Sequence, residues 1–308
     1  MAKKKKKLKR LLIALPIALV FILIINLCDQ GILPQQLQKP LDAFNNATDG
    51  LLYQKKTTKA LSVHFIDVGQ GDSTLISCEG KYMLIDGGTS DVAQKVENYL
   101  ESQGVESLSY VVGTHPHDDH IGGLVGVLGK FHVDNVILSG ATTTTNSFKR
   151  LLNTISDKKY GILQAKIGNT YNLGGAKFTI LAPLAKYDEL NDMSVVIRLT
   201  YKNTSFLFMG DASSISERDM LSKYKDLSAD VIKIGHHGSK TASSTDFLKA
   251  VHPSIAVISV GRDNSYGLPS NEVVRRVKDS GAKLFRTDYD GTVVIESDGK
   301  KLSYKEEK

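Results

Sequence analysis

Thr114-His115-Pro116-His117-Asp118-Asp119-His120-Ile121-Gly122-Gly123 is the stretch that decides how this chain is read. Three of its eight histidines fall within six residues, and an aspartate precedes the last of them. Imidazoles and a carboxylate are donors that Zn²⁺ and Mn²⁺ both accept. On an extended chain, residues two apart point the same way, so His115 and His117 can grip one ion. Asp119 and His120 then present to a second ion across the turn. Gly122 and Gly123 let the backbone fold sharply into whatever follows.

On either side of this loop lie short apolar runs. Tyr110–Gly113 reads as a strand entering the loop, and Gly123–Leu128 as the start of a helix leaving it. Upstream, Ser62–Ile66, Thr74–Ser77 and Tyr82–Ile85 read as strands joined by glycine-containing turns, before a helical stretch at Asp91–Ser102. Downstream, strands are expected at Val133–Leu138, Lys177–Leu181, Val195–Thr200, Ser205–Met209, Asp230–Ile234, Ile255–Val260 and Lys283–Arg286. Helices are expected at Ser147–Ser156, Ser214–Lys223, Phe247–Val251 and Asn271–Ser280, and a terminal hairpin at Thr292–Glu296 with Lys301–Tyr304. These are too many strands for one doubly wound sheet. Two sheets face to face with helices outside would bury all of the runs, an α/β fold of four layers.

Further candidates stand where these strands end. Asp86 closes Met83-Leu84-Ile85-Asp86-Gly87-Gly88, as a turn cap or as a partner of the ligands. Asp211 follows Phe206-Leu207-Phe208-Met209-Gly210. A carboxylate at the end of a buried strand is costly unless a cation or hydrogen bonds pair with it, so Asp211 is placed to bridge two ions. His236-His237-Gly238-Ser239 ends the strand at Asp230–Ile234. One of these two histidines faces the metals, and the sequence leaves open which.

The order Asp86, His115-x-His117-x-Asp119-His120, Asp211 and His236/His237 resembles the metallo-β-lactamase fold, over about residues 61–300. The words Asp67-Val68-Gly69-Gln70-Gly71-Asp72-Ser73, Asn191-Asp192-Met193-Ser194, Met209-Gly210-Asp211-Ala212, Gly235-His236-His237-Gly238-Ser239 and Arg286-Thr287-Asp288 look like its ComEC-type branch, an extracytoplasmic competence domain and its stand-alone relatives. That resemblance implies an αββα sandwich with two divalent ions, Zn²⁺ or Mn²⁺, between the sheets. It implies phosphodiester hydrolysis, of DNA foremost, with Asp119 and Asp211 as the catalytic carboxylates. His115, His117, Asp119, His120, Asp211 and His236 or His237 are the implied ligands.

Asp67 and Asp72 are expected to orient ligands or to cap their turn, Ser239 and Arg286 to contact phosphate, and Tyr266 to stack on a base. Two departures from the family stand out. The wider family carries a further histidine before the bridging aspartate, whereas this chain has none between His132 and His236. Asn191 or Asp192 is the expected oxygen substitute there, a donor that suits Mn²⁺ better than Zn²⁺. Leu268, in Asn264-Ser265-Tyr266-Gly267-Leu268-Pro269, stands where that branch would carry a histidine.

The net charge of +6 comes from one place. Lys3 to Lys7, Lys9 and Arg10 carry seven positive charges, and the remaining chain has 32 basic residues against 33 acidic. The charge of the body therefore gives no support for a nucleic-acid-binding domain, and leaves room for a local basic patch. The tail at 1–10 precedes an apolar segment at 11–28, read as a signal anchor with the tail in the cytoplasm and the rest outside. A cleaved signal peptide and a lipid anchor at Cys28 are the alternatives. Polar residues with Pro34 and Pro40 make 29–60 a stalk, leaving 61–308 as the hydrolase domain. Competing functions are hydrolysis of choline-phosphate or cyclic phosphodiesters, a lactonase or β-lactamase activity, and a non-catalytic surface-binding module.

Overall fold

The computed structural model describes residues 60–307. The basic tail, the expected anchor at 11–28, the stalk up to residue 59 and the last residue lie outside the described residues. Among the described residues, no helix is long and apolar enough to cross a membrane.

The chain begins with an antiparallel meander of β1 (Leu61–Phe65), β2 (Thr74–Cys78) and β3 (Lys81–Ile85). Helix α1 (Ala93–Ser102) and the short β4 (Ser107–Leu108) lead to β5 (Tyr110–Gly113), which runs parallel to β3. Next come α2 (Asp118–Ile121), α3 (Leu124–Lys130), β6 (His132–Val133), β7 (Val136–Leu138), α4 (Asn146–Asp157) and β8 (Ile162–Gln164). A second sheet opens with β9 (Thr170–Leu173), β10 (Ala176–Ala182), β11 (Val196–Tyr201) and β12 (Thr204–Phe208), antiparallel neighbours in turn.

Past α5 (Ser214–Lys223) that sheet turns parallel through β13 (Val231–Lys233), β14 (Ile255–Ile258) and β15 (Lys283–Arg286). Helices α6 (Thr245–Val251) and α7 (Asn271–Asp279) make the crossovers. After α8 (Thr287–Asp290), the hairpin of β16 (Thr292–Ser297) and β17 (Leu302–Glu307) returns to the first sheet beside β1. The strand orders are β17-β16-β1-β2-β3-β5-β7-β8 and β15-β14-β13-β12-β11-β10-β9.

Period-two alternation separates the layers. Leu61, Val63 and Phe65 of β1 with Met83 and Ile85 of β3 point at Phe178, Phe206, Phe208 and Phe285 of the other sheet, forming the central core. Phe65 and Phe208 meet across it with ring centroids 6.2 Å apart. The intervening residues Leu75 and Leu84 face outward onto Val96, Leu100, Leu124 and Leu151 of α1, α3 and α4. On the second sheet, Leu207, Ile232 and Ala256 face Met220, Phe247 and Val273 of α5, α6 and α7. Each such fully buried Val, Leu, Ile, Met or Phe side chain stabilises the fold by about 1.5–3 kcal/mol. The result is the four-layer αββα sandwich.

The expected strand Val133–Leu138 is two strands. Asp134 and Asn135 break it, with Asp134 N–H bonded to Leu108 O and the Asn135 amide to Ser109 O. Its first piece pairs only with β4. Strands β8 and β9 were not expected. Both lie at sheet edges and expose most of their side chains, so they carry little hydrophobic alternation.

Candidate metal centre

The site forms at the carboxyl ends of parallel strands, where connecting loops collect. β3 delivers Asp86, β5 the His115–His120 loop, β12 Asp211, and β13 His236 and His237. Three of these residues hold left-handed backbone: Asp86 at φ 59° and both His236 and His237 at φ 49°. Such a conformation costs a side-chain-bearing residue about 1–3 kcal/mol, and it persists where the surroundings fix it. Here it turns consecutive histidines off a strand end so that His237 is buried while the His236 side chain stays 28% exposed.

The loops also approach one another closely. Asp72 N–H bonds to Asp119 O and Gly87 N–H to His120 O. A Cβ on Gly71 would strike Asp119 O, and one on Gly123 would strike Gly87 O. The glycines bounding these motifs are therefore required for the contact between loops.

Hydrogen bonds fix the orientation of each buried imidazole. Asp86 accepts from Thr114 N–H at 2.8 Å and from Thr114 Oγ1 at 2.7 Å, and it lies 2.8 Å from His120 Nδ1. Thr114 Oγ1 and Ser194 Oγ stand 3.2 and 3.3 Å from His115 Nδ1. Ser259 O stands 3.0 Å from His237 Nδ1. With Nδ1 engaged in all three rings, Nε2 is the atom turned inward.

The inward atoms converge on Asp211. Its carboxylate lies 3.3 Å from His120 Nε2, 3.6 Å from His237 Nε2, 3.8 Å from His115 Nε2 and 3.9 Å from His236 Nε2. Asp119 Oδ2 is 3.2 Å from His237 Nε2 and 3.9 Å from His120 Nε2. His115 Nε2 and His117 Nδ1 face each other at 3.0 Å.

His120 Nε2, His237 Nε2, Asp211 Oδ1 and Asp72 Oδ1 are buried without a hydrogen-bond partner. A cluster of orphaned nitrogen and carboxylate donors is costly in a protein interior unless a cation completes it. Donor sets of metal-binding spacing are His115/His120/Asp211, Asp119/His120/His237 and Asp72/Asp211/His237. These donors fit divalent ions of the Zn²⁺ or Mn²⁺ type.

The electrostatics agree. Burial by itself would raise the Asp211 pKa, but His120, His237 and His115 outweigh it and hold the carboxyl well below the usual range. Burial would lower His237, yet Asp211 and Asp72 push it up to about 10. His120 is raised well above 6.5 by Asp211, Asp86 and Asp119, again against burial. His115 is driven down by burial and by His120 beside it. Without a cation, the carboxylates recruit protons onto the imidazoles that a cation would displace.

Asp192 does not join the cluster: its Oδ1 accepts from Ser213 N–H at 2.9 Å and fastens the neighbouring turn. Asn191 is the residue that faces the site. Its amide nitrogen lies 3.3 Å from His236 Nε2, and its oxygen is buried without a partner. Asp67 caps its own turn through Gly69 N–H and pairs with Lys95. Ser239 bonds to Thr241, and Arg286 pairs with Asp288, so neither lies in the cluster. Tyr266 is 72% exposed and contributes to none of the donor sets. Leu268 packs against the core beneath α7.

The family follows from comparison with known proteins. A model of the metallo-beta-lactamase superfamily matches residues 66–262. The chain belongs to this superfamily. It is 25% identical over 250 residues to ComE operon protein 3 of Bacillus subtilis, covering 75% of this chain and 32% of that protein. It is 32% identical over 230 residues to the competence protein ComA of Neisseria gonorrhoeae, covering 74% of this chain and 31% of that one. The chain thus spans about a third of the length of these relatives. Among solved structures, the metallo-beta-lactamase fold protein YhfI of Bacillus subtilis shares the fold, with a TM-score of 0.54 and 12% identity over 78% of this chain and all of that one.

In this superfamily member, sequence reasoning missed Lys233, whose buried ammonium bonds to Asp72 Oδ2 and to Gly210 O. The signal was present: a lysine inside the apolar strand Val231-Ile232-Lys233-Ile234 is out of place unless it is paired. Thr114, Ser194 and Ser259 were also missed as anchors of imidazoles. Short hydroxyl residues and a backbone carbonyl carry no distinguishing mark in a sequence.

Proposed function

We propose that this chain is a membrane-anchored, outward-facing, metal-dependent phosphodiesterase that cuts nucleic acid, with DNA the first substrate to test. The observation that carries the reading is the convergence of inward nitrogens from His115, His120 and His237 on Asp211 and Asp119, with His117 Nδ1 3.0 Å from His115 Nε2. The competence protein among its relatives supports DNA as the substrate. The basic run and apolar segment at 1–28 support the anchor.

The chain's own residues prepare the site. Asp86 and Ser259 O hold the Nδ1 protons of His120 and His237, so that Nε2 would offer its lone pair to a bound cation. Asp211 lies between the two halves of the cluster, within reach of His115 on one side and His237 on the other. Lys233 neutralises Asp72, which would otherwise add a further charge to an already acidic floor. Divalent cations bound there would supply an acidified water and neutralise charge on the phosphoryl oxygens.

Asn191, an oxygen donor where the wider family carries a histidine, favours a hard ion and a phosphoester over a lactam. Beside the site lies a cleft of about 610 Å³ lined by Ser139, Thr142, Gln164, Lys186, Leu190 and Met193 among others. It shares the Leu190–Met193 turn with Asn191, so it offers room for a substrate longer than its scissile group.

The test is hydrolysis of bis-p-nitrophenyl phosphate, single-stranded DNA and nitrocefin by the Mn²⁺- or Zn²⁺-loaded protein. Cleavage of the first two, lost in His117→Ala, is the expected result. Turnover of nitrocefin alone would overturn the reading.

A further inference from the structure

Beyond the cluster, two exposed aromatic rings stand on segments bound directly to its walls, Tyr266 on the loop after β14 and Tyr289 on the short helix α8. Tyr266 is 72% exposed and Tyr289 60% exposed. Tyr289 follows Thr287, whose buried hydroxyl donates to Val260 O at 3.0 Å and accepts from Val260 N–H at 2.8 Å. Val260 adjoins Ser259, the anchor of His237. Tyr266 precedes Pro269, which abuts Gly238 immediately after His237, and Ser270 N–H bonds to Gly238 O at 2.9 Å. Arg262 ties the loop to the helix by donating to Asp288 O at 2.8 and 3.0 Å. The Arg286 guanidinium lies 4.4 Å from the centre of the Tyr289 ring and is locked by Asp288. Asn264 fixes the Tyr266 loop by accepting from the N–H groups of Tyr266 and Leu268.

Rings kept in water on braced segments bury little apolar surface, and beyond the Arg286 contact of Tyr289 they add little to folding. Aromatic faces interleaved with guanidinium groups are what unpaired bases stack on, while the cations meet the backbone between them. Arg262 meets a carbonyl and no carboxylate among the described residues, so its charge is available to a phosphate. We infer that Tyr266 and Tyr289, with Arg262, form a base-stacking platform that holds a single strand of nucleic acid beside His237. This rests on the phosphodiesterase reading and adds how the strand is held. The bases themselves contribute to binding, and duplex DNA, whose bases are stacked on each other, is held less well.

The test measures binding by fluorescence anisotropy with the full-length chain. The probes are a phosphorothioate oligothymidylate, which resists cleavage, and an abasic strand of equal length and linkage. The wild type is expected to bind the oligothymidylate more tightly by about tenfold per stacked ring. Tyr266→Ala/Tyr289→Ala is expected to bind both strands alike, with bis-p-nitrophenyl phosphate hydrolysis and metal content unchanged. A wild type that does not distinguish the two strands, or a double variant that still does, would overturn the platform. Absent hydrolysis of bis-p-nitrophenyl phosphate would instead strike the phosphodiesterase reading and leave the strand preference to be read on its own.

Discussion

Lys233 and Asp72 form an ion pair sealed beneath the site, the lysine side chain 2% and the aspartate 5% exposed. Asp72 Oδ1 lies 3.4 Å from His237 Nδ1, so this pair sets the charge beside a proposed ligand. Removing one partner leaves a bare buried charge, which costs about 3–5 kcal/mol. Lys233→Met is expected to lower stability by that order in urea denaturation, and Lys233→Met/Asp72→Asn to recover part of it. A single variant as stable as the wild type would show that the pair does not hold this floor.

Asp86 engages His120 and both donors of Thr114. Asp86→Asn exchanges an acceptor for a donor opposite an imidazole N–H. Losing such a partner of a metal-binding histidine weakens metal binding by about 10–100-fold. Titration with Mn²⁺, read by calorimetry, checks this. Unchanged affinity would mean that His120 is not a ligand or is oriented by other groups.

Asn191 and Asp192 are neighbours with different assigned work. Asn191→Ala is expected to weaken ion binding beside His236, the ring its amide faces, while leaving stability nearly intact. Asp192→Ala removes the acceptor of the half-buried Ser213 N–H and is expected to cost about 1 kcal/mol in stability without changing metal stoichiometry. Elemental analysis and urea melts of the two variants separate these roles, and the reverse pattern would contradict the assignment.

His64 lies away from the site, buried between Ser62 Oγ and Tyr99 OH. Burial lowers its pKa to about 4, with Glu307 raising and Lys305 lowering it to smaller extents. The unfolded chain takes up a proton near pH 6.5, whereas the folded one resists until about pH 4. Its contribution is therefore fully present above pH 6.5 and lost as the pH falls toward 4, on the order of 3 kcal/mol in all. Urea midpoints measured across that window should fall with pH in the wild type and fall less in His64→Phe. Equal slopes would refute the assignment.

Much of this architecture was legible because its physical signals are local. The apolar run at Tyr110–Gly113 and the helix at Ser214–Lys223 coincide with the observed elements, since buried strands and capped helices state their pattern within a few residues. The His115–His120 loop, Asp211 and the His236/His237 pair could be named because chemistry-bearing side chains at strand ends are conspicuous. Telling His237, 2% exposed, from His236, 28% exposed, as the buried donor required the folded surroundings, because both share the left-handed backbone, and choosing Asn191 over Asp192 required the position of Ser213, 21 residues along the chain. Lys233 pairs with a carboxylate from the opposite sheet, a relationship that no spacing in the sequence encodes.

The most direct test of the account is the number of divalent ions held per chain, by elemental analysis after loading with Mn²⁺ or Zn²⁺ and removal of free metal. The expected result is close to two ions in the wild type, falling in Asp211→Ala, with thermal stability rising as metal is added because the ions bind the folded chain alone. A wild-type chain that retains no metal, or an Asp211→Ala chain that retains as much as the wild type, would contradict it.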